Sequence, residues 1–298
     1  MNGKPPSSPL DRRAFLAGVS AAAGSLFLAR RVHGAGEPAE AADRASQPLP
    51  RGAFRFVVIN DVHHAGPECD PFFEQLVAQI RTHRDVAFCL IVGDLADKGQ
   101  PASLAAVKRA FGQLGIPVHT VPGNHDNDVA GDTSLYAATF PDGLNSNFTH
   151  RRWQFIGLDS TEGYNWGDTH ISPTTLEYLE TIVPTLDPKA PTVVFTHFPL
   201  GAGIRLRPVN ADAVLDRLAP LTLRAAFCGH FHSRTLVPLG AALLTTNVCC
   251  SRVRGNHDGT RREGYLVCTA DRDGRLVQDF VEFVPASQSP EMPPGLAG

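Results

Sequence analysis

The stretch FRFVVIND, residues 54–61, is a largely apolar run that ends on a carboxylate, and it is the first of five such runs. Continuous apolar runs of this length are typical of strands that are buried on both faces of a sheet. Each run therefore predicts an interior strand with a polar residue at its end. The other four are VAFCLIVGD, ending at Asp94; VHTVPGN, ending at Asn124; TVVFTH, ending at His197; and AAFCGH, ending at His230.

Amphipathic segments lie between these runs and predict helices. DPFFEQLVAQIRTH offers Asp70 as a cap and Pro71 as the first helical residue, and SPTTLEYLETIV repeats that plan with Ser172 and Pro173. Further helices are predicted over 101–115 and from 210 onward. Strands that alternate with helices indicate an α/β fold in which sheets and helices pack face to face.

Two segments are predicted to be antiparallel strand pairs instead. They are FTHRRWQFIGLDS, residues 148–160, and YLVCTADRDGRLVQDFVEF, residues 265–283. The second has a turn signal at Asp273-Gly274, and Arg151 and Arg152 are expected to be exposed hairpin residues in the first.

The polar strand ends are expected to meet in one cleft. In open α/β sheets, ligands bind outside the carboxyl ends of the strands, where the loops leave the sheet. The ends read, in chain order, Asp-x-His, Gly-Asp, Gly-Asn-His-Asp, His and Gly-His-x-His. One strand that ends in histidine is weak evidence, but five such ends together indicate a shared functional site.

These blocks resemble the calcineurin-like metallophosphoesterase superfamily, and in particular its branch that contains cyclic-nucleotide phosphodiesterases. The resemblance rests on DVH at 61–63, GD at 93–94, GNHD at 123–126, TH ending at His197 and GHFH at 229–232, and it extends over about residues 54–283. It implies a layered α/β sandwich of two mixed β-sheets flanked by helices.

The resemblance also implies a pair of divalent or transition metal ions, with iron, manganese and zinc as the candidates. Two such ions can share a hydroxide and clamp a phosphoryl group, and carboxylate, imidazole and carbonyl groups suit them as ligands. In this assignment His125 is the general acid and Asp126 orients its ring. One metal is assigned to Asp61, His63 and His232, the other to Asn124, His197 and His230, and Asp94 bridges the two.

The expected function is therefore that of an exported binuclear-metal hydrolase of small phosphate esters, with phosphodiesters favoured, in which a metal-bridging hydroxide attacks. One alternative is a phosphomonoesterase or nucleotidase of the same fold. The other is a non-enzymatic metal- or phosphate-binding surface protein, which should have lost a ligand or His125. The net charge of −3 gives no electrostatic case for a nucleic-acid partner.

A second GNHD, residues 255–258, follows the GHFH block in the segment RVRGNHDGTRREG. One hypothesis is a solvated hairpin loop. A second is a loop that leans over the cleft and offers Arg252, Arg254 or His257 to a substrate phosphate. A third is a further metal site built on Asn256, His257 and Asp258.

The N-terminal residues resemble a twin-arginine export signal, with Arg12-Arg13, a weakly apolar stretch over 14–29 and small residues at 34–36. This predicts recognition by the twin-arginine machinery and a periplasmic or secreted protein, or an N-terminally anchored one if the signal is retained. No stable membrane span is expected after cleavage. The predicted segments are a signal over 1–36, a linker over 37–52, a metallophosphoesterase domain over 53–285 and a flexible tail over 286–298.

The six cysteines are expected to be mostly free, buried thiols.

Overall fold

Two mixed β-sheets form the centre of the fold in a computed structural model of the protein, which describes residues 47–286. The strands are β1 (Phe54–Ile59), β2 (Val86–Val92), β3 (Val118–Val121), β4 (Ser146–His150), β5 (Trp153–Leu158), β6 (Pro191–Thr196), β7 (Thr222–Cys228), β8 (Thr235–Leu239), β9 (Ala242–Thr246), β10 (Glu263–Ala270) and β11 (Leu276–Phe283). The first sheet has the order β11-β10-β1-β2-β3 and the second β4-β5-β6-β7-β9-β8. The predicted fold class is confirmed.

Parallel pairing places the functional loops at one edge of each sheet. In the first sheet β1, β2 and β3 are parallel, β10 pairs antiparallel with β1, and β11 pairs antiparallel with β10. In the second sheet β5, β6, β7 and β9 are parallel, and β4 and β8 are antiparallel edge strands. Since parallel strands end at the same edge, the residues that follow them lie close together.

Aromatic side chains fill the space between the sheets. Phe56 and Phe88 of the first sheet stack with ring centroids 5.2 Å apart, and Phe155 of the second sheet meets both rings edge-on. All three are buried. Each such ring contributes roughly 1.5–3 kcal/mol by leaving water, so this layer holds the two sheets face to face.

Helices cover the outer faces of both sheets. They are α1 (Asp70–Ile80), α2 (Pro101–Gly112), α3 (Ser134–Thr139), α4 (Pro173–Ile182) and α5 (Ala211–Leu218). Leu76 of α1 and Val107 of α2 pack on the first sheet, and Leu179 of α4 and Val214 of α5 pack on the second. The result is a four-layer arrangement with one helical layer on each side.

The helix caps show one success and one error of the sequence prediction. Ser172 caps α4 as expected, because its hydroxyl oxygen accepts a hydrogen bond from the backbone N–H of Thr175 at 3.2 Å. Asp70 does not cap α1; it is the first helical residue, and its carboxylate lies 2.9 Å from Nε2 of His64. The cap position is held by Cys69, because the chain enters the helix directly from a 3-10 turn over Pro67–Cys69.

All five predicted strands and both predicted antiparallel pairs are present, but β3 lies at the edge of the first sheet and its first two residues are only partly buried. The pair β8–β9 was not predicted. The strand β8 has alternating exposed residues and contains Pro238, both of which are features of an edge strand and weak sequence signals. The prediction also missed that β5 pairs in parallel with β6 and so lies in the interior of the sheet.

The cysteines are as expected, since all six are free and buried. Among residues 47–286, no helix is long and apolar enough to cross a membrane. The predicted export signal at Arg12-Arg13 lies outside the described residues.

Candidate metal centre

The seven residues that the sequence predicts as metal ligands converge at the carboxyl ends of the parallel strands. They lie after β1, β2 and β3 in the first sheet and after β6 and β7 in the second. All seven are buried: Asp61, His63, Asp94, Asn124, His197, His230 and His232.

Five of these seven residues have a left-handed backbone, with φ between 43° and 64°: Asp61, His63, Asp94, His230 and His232. Such a conformation costs non-glycine residues about 1–3 kcal/mol each, and the surrounding structure must impose it. Here it is imposed across the strand ends, where Asp61 N–H donates to Gly93 O at 3.1 Å and His63 N–H to Asp94 O at 2.9 Å. Concentrated backbone strain of this kind is typical of functional sites.

Close packing explains the glycines in the sequence blocks. A Cβ atom at Gly123, the first residue of GNHD, would lie 2.1 Å from Oδ1 of Asp94. A Cβ atom at Gly229, the first residue of GHFH, would lie 2.5 Å from Oδ2 of Asp61. Both positions must lack a side chain if the carboxylates are to remain where they are.

The polar side chains form two groups that share Asp94. Potential ligand atoms of Asp61, His63, Asp94 and His232 lie within 4.8 Å of one another, and so do those of Asp94, His197 and His230. The two oxygens of Asp94 face different groups: Oδ2 lies 3.4 Å from Nε2 of His63, and Oδ1 lies 3.4 Å from Nε2 of His197. One carboxylate is thus placed between two sets of imidazoles.

Asn124 lies between Gly123 and His125, whose backbones pack against Asp94, and its amide oxygen, Oδ1, is buried and without a hydrogen-bond partner among the described residues. A buried polar atom without a partner costs roughly 1–3 kcal/mol. A cation would satisfy this oxygen, and an oxygen, imidazole and carboxylate set is suited to divalent metals. The donors present therefore fit a metal at each group.

Each of the four histidines has its other ring nitrogen beside an oxygen acceptor. Nδ1 of His197 is 3.1 Å from Val92 O, Nε2 of His230 is 2.8 Å from Trp166 O, and Nδ1 of His232 is 3.0 Å from Gly255 O. Nδ1 of His63 is 3.4 Å from a carboxylate oxygen of Asp97. Metal-ligating histidines are commonly oriented in this way, with one nitrogen donating to oxygen and the other left for the metal.

The buried carboxylates and imidazoles shift one another's pKa values strongly. Burial opposes charge on His197 and His232, but the adjacent carboxylates of Asp94 and Asp61 raise the pKa of His197 to about 9 and that of His232 to about 11. Burial and the neighbouring His197 lower the pKa of His230 to about 3. Protons therefore occupy part of this cluster when no cation does.

His125 lies next to the cluster and is only half-buried. Its backbone N–H donates to Oδ1 of Asp94 at 2.9 Å. Its ring nitrogen Nδ1 is 2.7 Å from the carbonyl oxygen of Asp97 and 3.3 Å from the hydroxyl of Tyr164. The ring is thus held by one nitrogen beside the shared carboxylate.

The prediction that Asp126 orients the ring of His125 is wrong. The carboxylate of Asp126 is buried and accepts backbone hydrogen bonds from Ala96 at 2.7 Å and from Gly123 at 2.8 Å. Burial, reinforced by the charge of Asp94, raises the pKa of Asp126 to about 7. Asp126 closes the turn that carries Asn124 and His125, and the backbone of Asp97 orients the ring.

The model of one protein family, described as calcineurin-like phosphoesterase, matches residues 54–234 of this chain. That match covers more than half of the sequence and every strand end that carries a predicted metal ligand. The chain belongs to the calcineurin-like phosphoesterase family. The predicted enzyme class, a phosphoric ester hydrolase, is thereby confirmed at the level of the family.

Two curated relatives of this phosphoesterase carry related names. A 3',5'-cyclic-nucleotide phosphodiesterase of Nostoc sp. is 32% identical over 156 residues, which are 48% of this chain and 54% of the relative. A protein of Vesicomyosocius okutanii named "Probable cyclic nucleotide phosphodiesterase" is 32% identical over 89 residues, which are 30% of this chain and 36% of the relative. The chain thus spans about half or less of the length of these relatives.

A solved structure confirms the fold of the phosphoesterase. The dimetal phosphatase from Danio rerio superposes with a TM-score of 0.61 at 16% identity, over 78% of this chain and 99% of that one. At this identity the likeness shows the fold alone.

Asp97 was not predicted to belong to the site, and Arg254 was predicted only as a contact for a substrate phosphate. Asp97 brings its carbonyl to His125 and its carboxylate to His63, and this carboxylate receives Arg254 at 2.7 Å from Nε and 2.6 Å from Nη2. The facing ring of His63 and the guanidinium of Arg254 hold the pKa of Asp97 well below its usual range. Asp97 lies three residues after Asp94 in an unremarkable loop, so only the fold could assign it a role.

The second GNHD lies against the metal centre rather than standing free in solvent. Its Gly255 carbonyl accepts from Nδ1 of His232, and its His257 ring stacks on the His232 ring with centroids 4.9 Å apart. Arg254 pairs with Asp97, whereas Arg252 forms no ion pair within the described residues and is the arginine that remains for the substrate-contact hypothesis. Among the described residues, neither His257 nor Asp258 belongs to a group that could hold a metal.

Proposed function

We propose that this phosphoesterase is an exported, binuclear-metal hydrolase of phosphodiesters. The observation that carries the proposal is the position of Asp94, whose two carboxylate oxygens face two separate sets of buried imidazoles at 3.4 Å each. A carboxylate can serve two cations at once because it has two oxygens, whereas an imidazole or an amide cannot.

The residues present divide between two ions. Asp61, His63 and His232 would hold one, Asn124, His197 and His230 would hold the other, and Asp94 would contact both. Two divalent ions in such a site would polarise the phosphoryl oxygens and activate water as the nucleophile. Iron, manganese and zinc remain the candidates, because the donors are oxygen and imidazole nitrogen.

His125 is proposed to protonate the departing oxygen. If Nδ1 donates to the carbonyl of Asp97, as the 2.7 Å separation suits, Nε2 is the nitrogen left to hold and deliver a proton. His125 is the only histidine of the first GNHD, it is half-buried, and its backbone is anchored to Asp94. Its ring can therefore be reached by a substrate and is held close to the shared carboxylate.

The names of the curated relatives support a preference for diesters, and the N-terminal sequence supports export. The two curated relatives are named as cyclic nucleotide phosphodiesterases, which act on a diester. Export is supported by the order of Arg12-Arg13, an apolar stretch and small residues. A small anionic substrate also fits the net charge of −3 better than a polyanion does, because a phosphate-rich polymer needs a basic face.

The test combines metal analysis with a substrate panel. Purified protein reconstituted with manganese, iron or zinc should retain two equivalents, measured by mass spectrometry. It should hydrolyse bis-(4-nitrophenyl) phosphate and 3',5'-cyclic AMP faster than 4-nitrophenyl phosphate and nucleoside monophosphates. Asp94→Asn keeps one oxygen for the N–H of His125 but removes the second negative oxygen, and it should retain at most one equivalent and lose activity. A single equivalent in the wild type, or hydrolysis of monoesters alone, would contradict the proposal.

A further inference from the structure

A cavity lies at the end of the sandwich opposite to the candidate metal centre. It has a volume of about 320 Å³, which is at the lower end of the range for small-molecule sites. The strand directions fix its position: it lies before the first residue of β1, at the turn that precedes β5 and at the turn that follows β10. Its lining residues are Arg51, Gly52, Arg151, Arg152, Trp153, Asp271 and Arg272.

Charge is concentrated in this cavity. Four arginines from three separate loops line it against one aspartate, in a chain whose net charge is −3. Within residues 47–286, Arg51, Arg151 and Arg152 form no ion pair, and Arg272 has only Asp273 at 3.6 Å. The carboxylate of Asp271 accepts from the backbone N–H groups of Asp273 and Arg275, so it is engaged by its own turn.

Backbone hydrogen bonds hold each arginine-bearing loop in place. Arg51 lies in a turn closed by Ala53 N–H donating to Pro50 O at 3.0 Å, and Gly52 supplies the positive φ of 86° that this turn requires. The turn of Arg272 is closed by Asp271 N–H donating to Arg275 O at 3.0 Å. The arginines are therefore presented by fixed backbone rather than by loose chain.

The third loop, the β4–β5 hairpin, carries a strained arginine. Arg151 has φ 55°, in a hairpin position that glycine, asparagine or aspartate normally takes. Its guanidinium lies 5.9 Å from the ring centroid of Phe54, a cation–π contact that orients the side chain. A bulky cation in a strained turn position, beside a second arginine, is a cost to the fold, and strain of this kind is a reason to look for function.

The floor of the cavity is also fixed. Trp153 is buried, and its indole N–H donates to the carbonyl oxygen of Asp271 at 2.8 Å. This bond ties the turn after β10 to the start of β5, so the loops from both sheets meet on one rigid base.

We propose that this arginine cavity binds a phosphate-bearing anion, independently of the metal centre. A guanidinium group can donate two parallel N–H bonds to phosphate oxygens. An anion bound by several arginines also offsets the electrostatic repulsion between them. The anion can be a free oligophosphate or the headgroup of an anionic lipid. The chemistry is shared, and the two sources differ in whether binding needs a membrane surface.

Pyrophosphate is the probe for the free anion, and Trp153 is the reporter. The chain has two tryptophans, so Trp166→Phe leaves Trp153 as the single indole. In this background, pyrophosphate should change the Trp153 emission in a saturable way. Adding Arg151→Ala and Arg152→Ala should weaken the apparent affinity at least tenfold. The matched control, Arg81→Ala with Arg109→Ala, removes two exposed arginines from the helical face and should leave the affinity within twofold of the parent.

Vesicles distinguish the lipid source. Wild-type protein should sediment with phosphatidylglycerol vesicles more than with phosphatidylcholine vesicles only if a lipid headgroup is the ligand, and the Arg151/Arg152 variant should then lose that difference. Saturable pyrophosphate binding without vesicle binding identifies a soluble anion instead. Hydrolytic activity should be unchanged in the Arg151/Arg152 variant. The proposal is overturned if neither probe binds, or if the control variant loses as much binding as the Arg151/Arg152 variant.

Discussion

Replacement of Arg254 by alanine should weaken the metal site formed by Asp61, His63 and His232. Arg254 holds the carboxylate of Asp97 with two nitrogens, and that carboxylate faces Nδ1 of His63 at 3.4 Å. The next residue, Gly255, receives Nδ1 of His232. Loss of the arginine therefore loosens the groups that orient two ligands of the same ion, while the ligands of the other ion keep their partners.

The size of the effect follows from the exposure of the pair. Changes to groups that orient metal ligands typically cost ~10–100-fold in affinity, which corresponds to about 1.4–2.8 kcal/mol. The side chain of Arg254 is 39% exposed and that of Asp97 is 15% exposed, so solvent screens the interaction. We therefore expect the low end of the range, a loss of about tenfold for one of two metal equivalents.

The assay is competition with a chromogenic chelator, which resolves the two affinities. Arg254→Lys should recover part of the loss, because one ammonium can still reach Asp97 but cannot match the arginine fork. Arg261→Ala, on the same loop and exposed, should behave as wild type. The dependence of rate on leaving group should also be unchanged, since the backbone of Asp97 orients His125. Unaltered affinity for both equivalents in Arg254→Ala, or an equal loss in Arg261→Ala, would refute this reasoning.

Three further predictions concern the catalytic histidine, protons and export. His125→Ala should cost ~10²–10⁴ in rate for alkyl or sugar leaving groups and much less for aryl ones, whereas His257→Ala should show no such dependence; a plot of rate against leaving-group pKa checks both, and an unchanged slope in His125→Ala would contradict the assignment. Metal uptake near pH 7.5 should release about two protons, because without metal the pKa values of His197, about 9, and His232, about 11, keep both rings protonated there, and ligation requires their neutral forms. Metal affinity should accordingly rise as the pH rises toward the pKa values of these two histidines. If metal titration in weakly buffered solution releases no protons, His197 and His232 are not metal ligands. Replacing Arg12-Arg13 by Lys-Lys should leave the precursor in the cytoplasm, measured by cell fractionation, and normal export would point to another route.

The fold and the clustering of polar side chains at the strand ends could be predicted from the sequence, and the reason is physical. Apolar strands buried on both faces leave a strong signal, and parallel pairing brings their ends together without any need to know the loops. Asp61, Asp94 and His197 could therefore be placed in one site from their position at strand ends alone. The pairing of Asp97 with Arg254 could not, because the two residues are 157 positions apart and both lie in loops.

Adjacency in sequence was misleading for the orientation of His125. Asp126 follows it directly, but a turn of 3-10 helix over Asn124–Asp126 points the carboxylate of Asp126 at the backbone of Ala96 and Gly123. The carboxylate thereby stabilises the turn itself. Because the carboxylate of Asp126 accepts these backbone hydrogen bonds, it does not orient the His125 ring. The acceptor for that ring is the carbonyl of Asp97, in the loop after β2.

The two GNHD copies differ in how their asparagines are used, and this difference decides which copy can hold a metal. In the second copy, Oδ1 of Asn256 accepts from the backbone N–H of Cys249 at 3.0 Å, and its Nδ2 donates to Arg262 O at 2.6 Å. That amide oxygen is committed to shaping its own loop. In the first copy, Oδ1 of Asn124 is buried and has no hydrogen-bond partner in the described structure. The same four letters thus leave an amide oxygen free for a proposed metal in the first copy, whereas in the second copy they shape a loop whose Gly255 carbonyl accepts from His232.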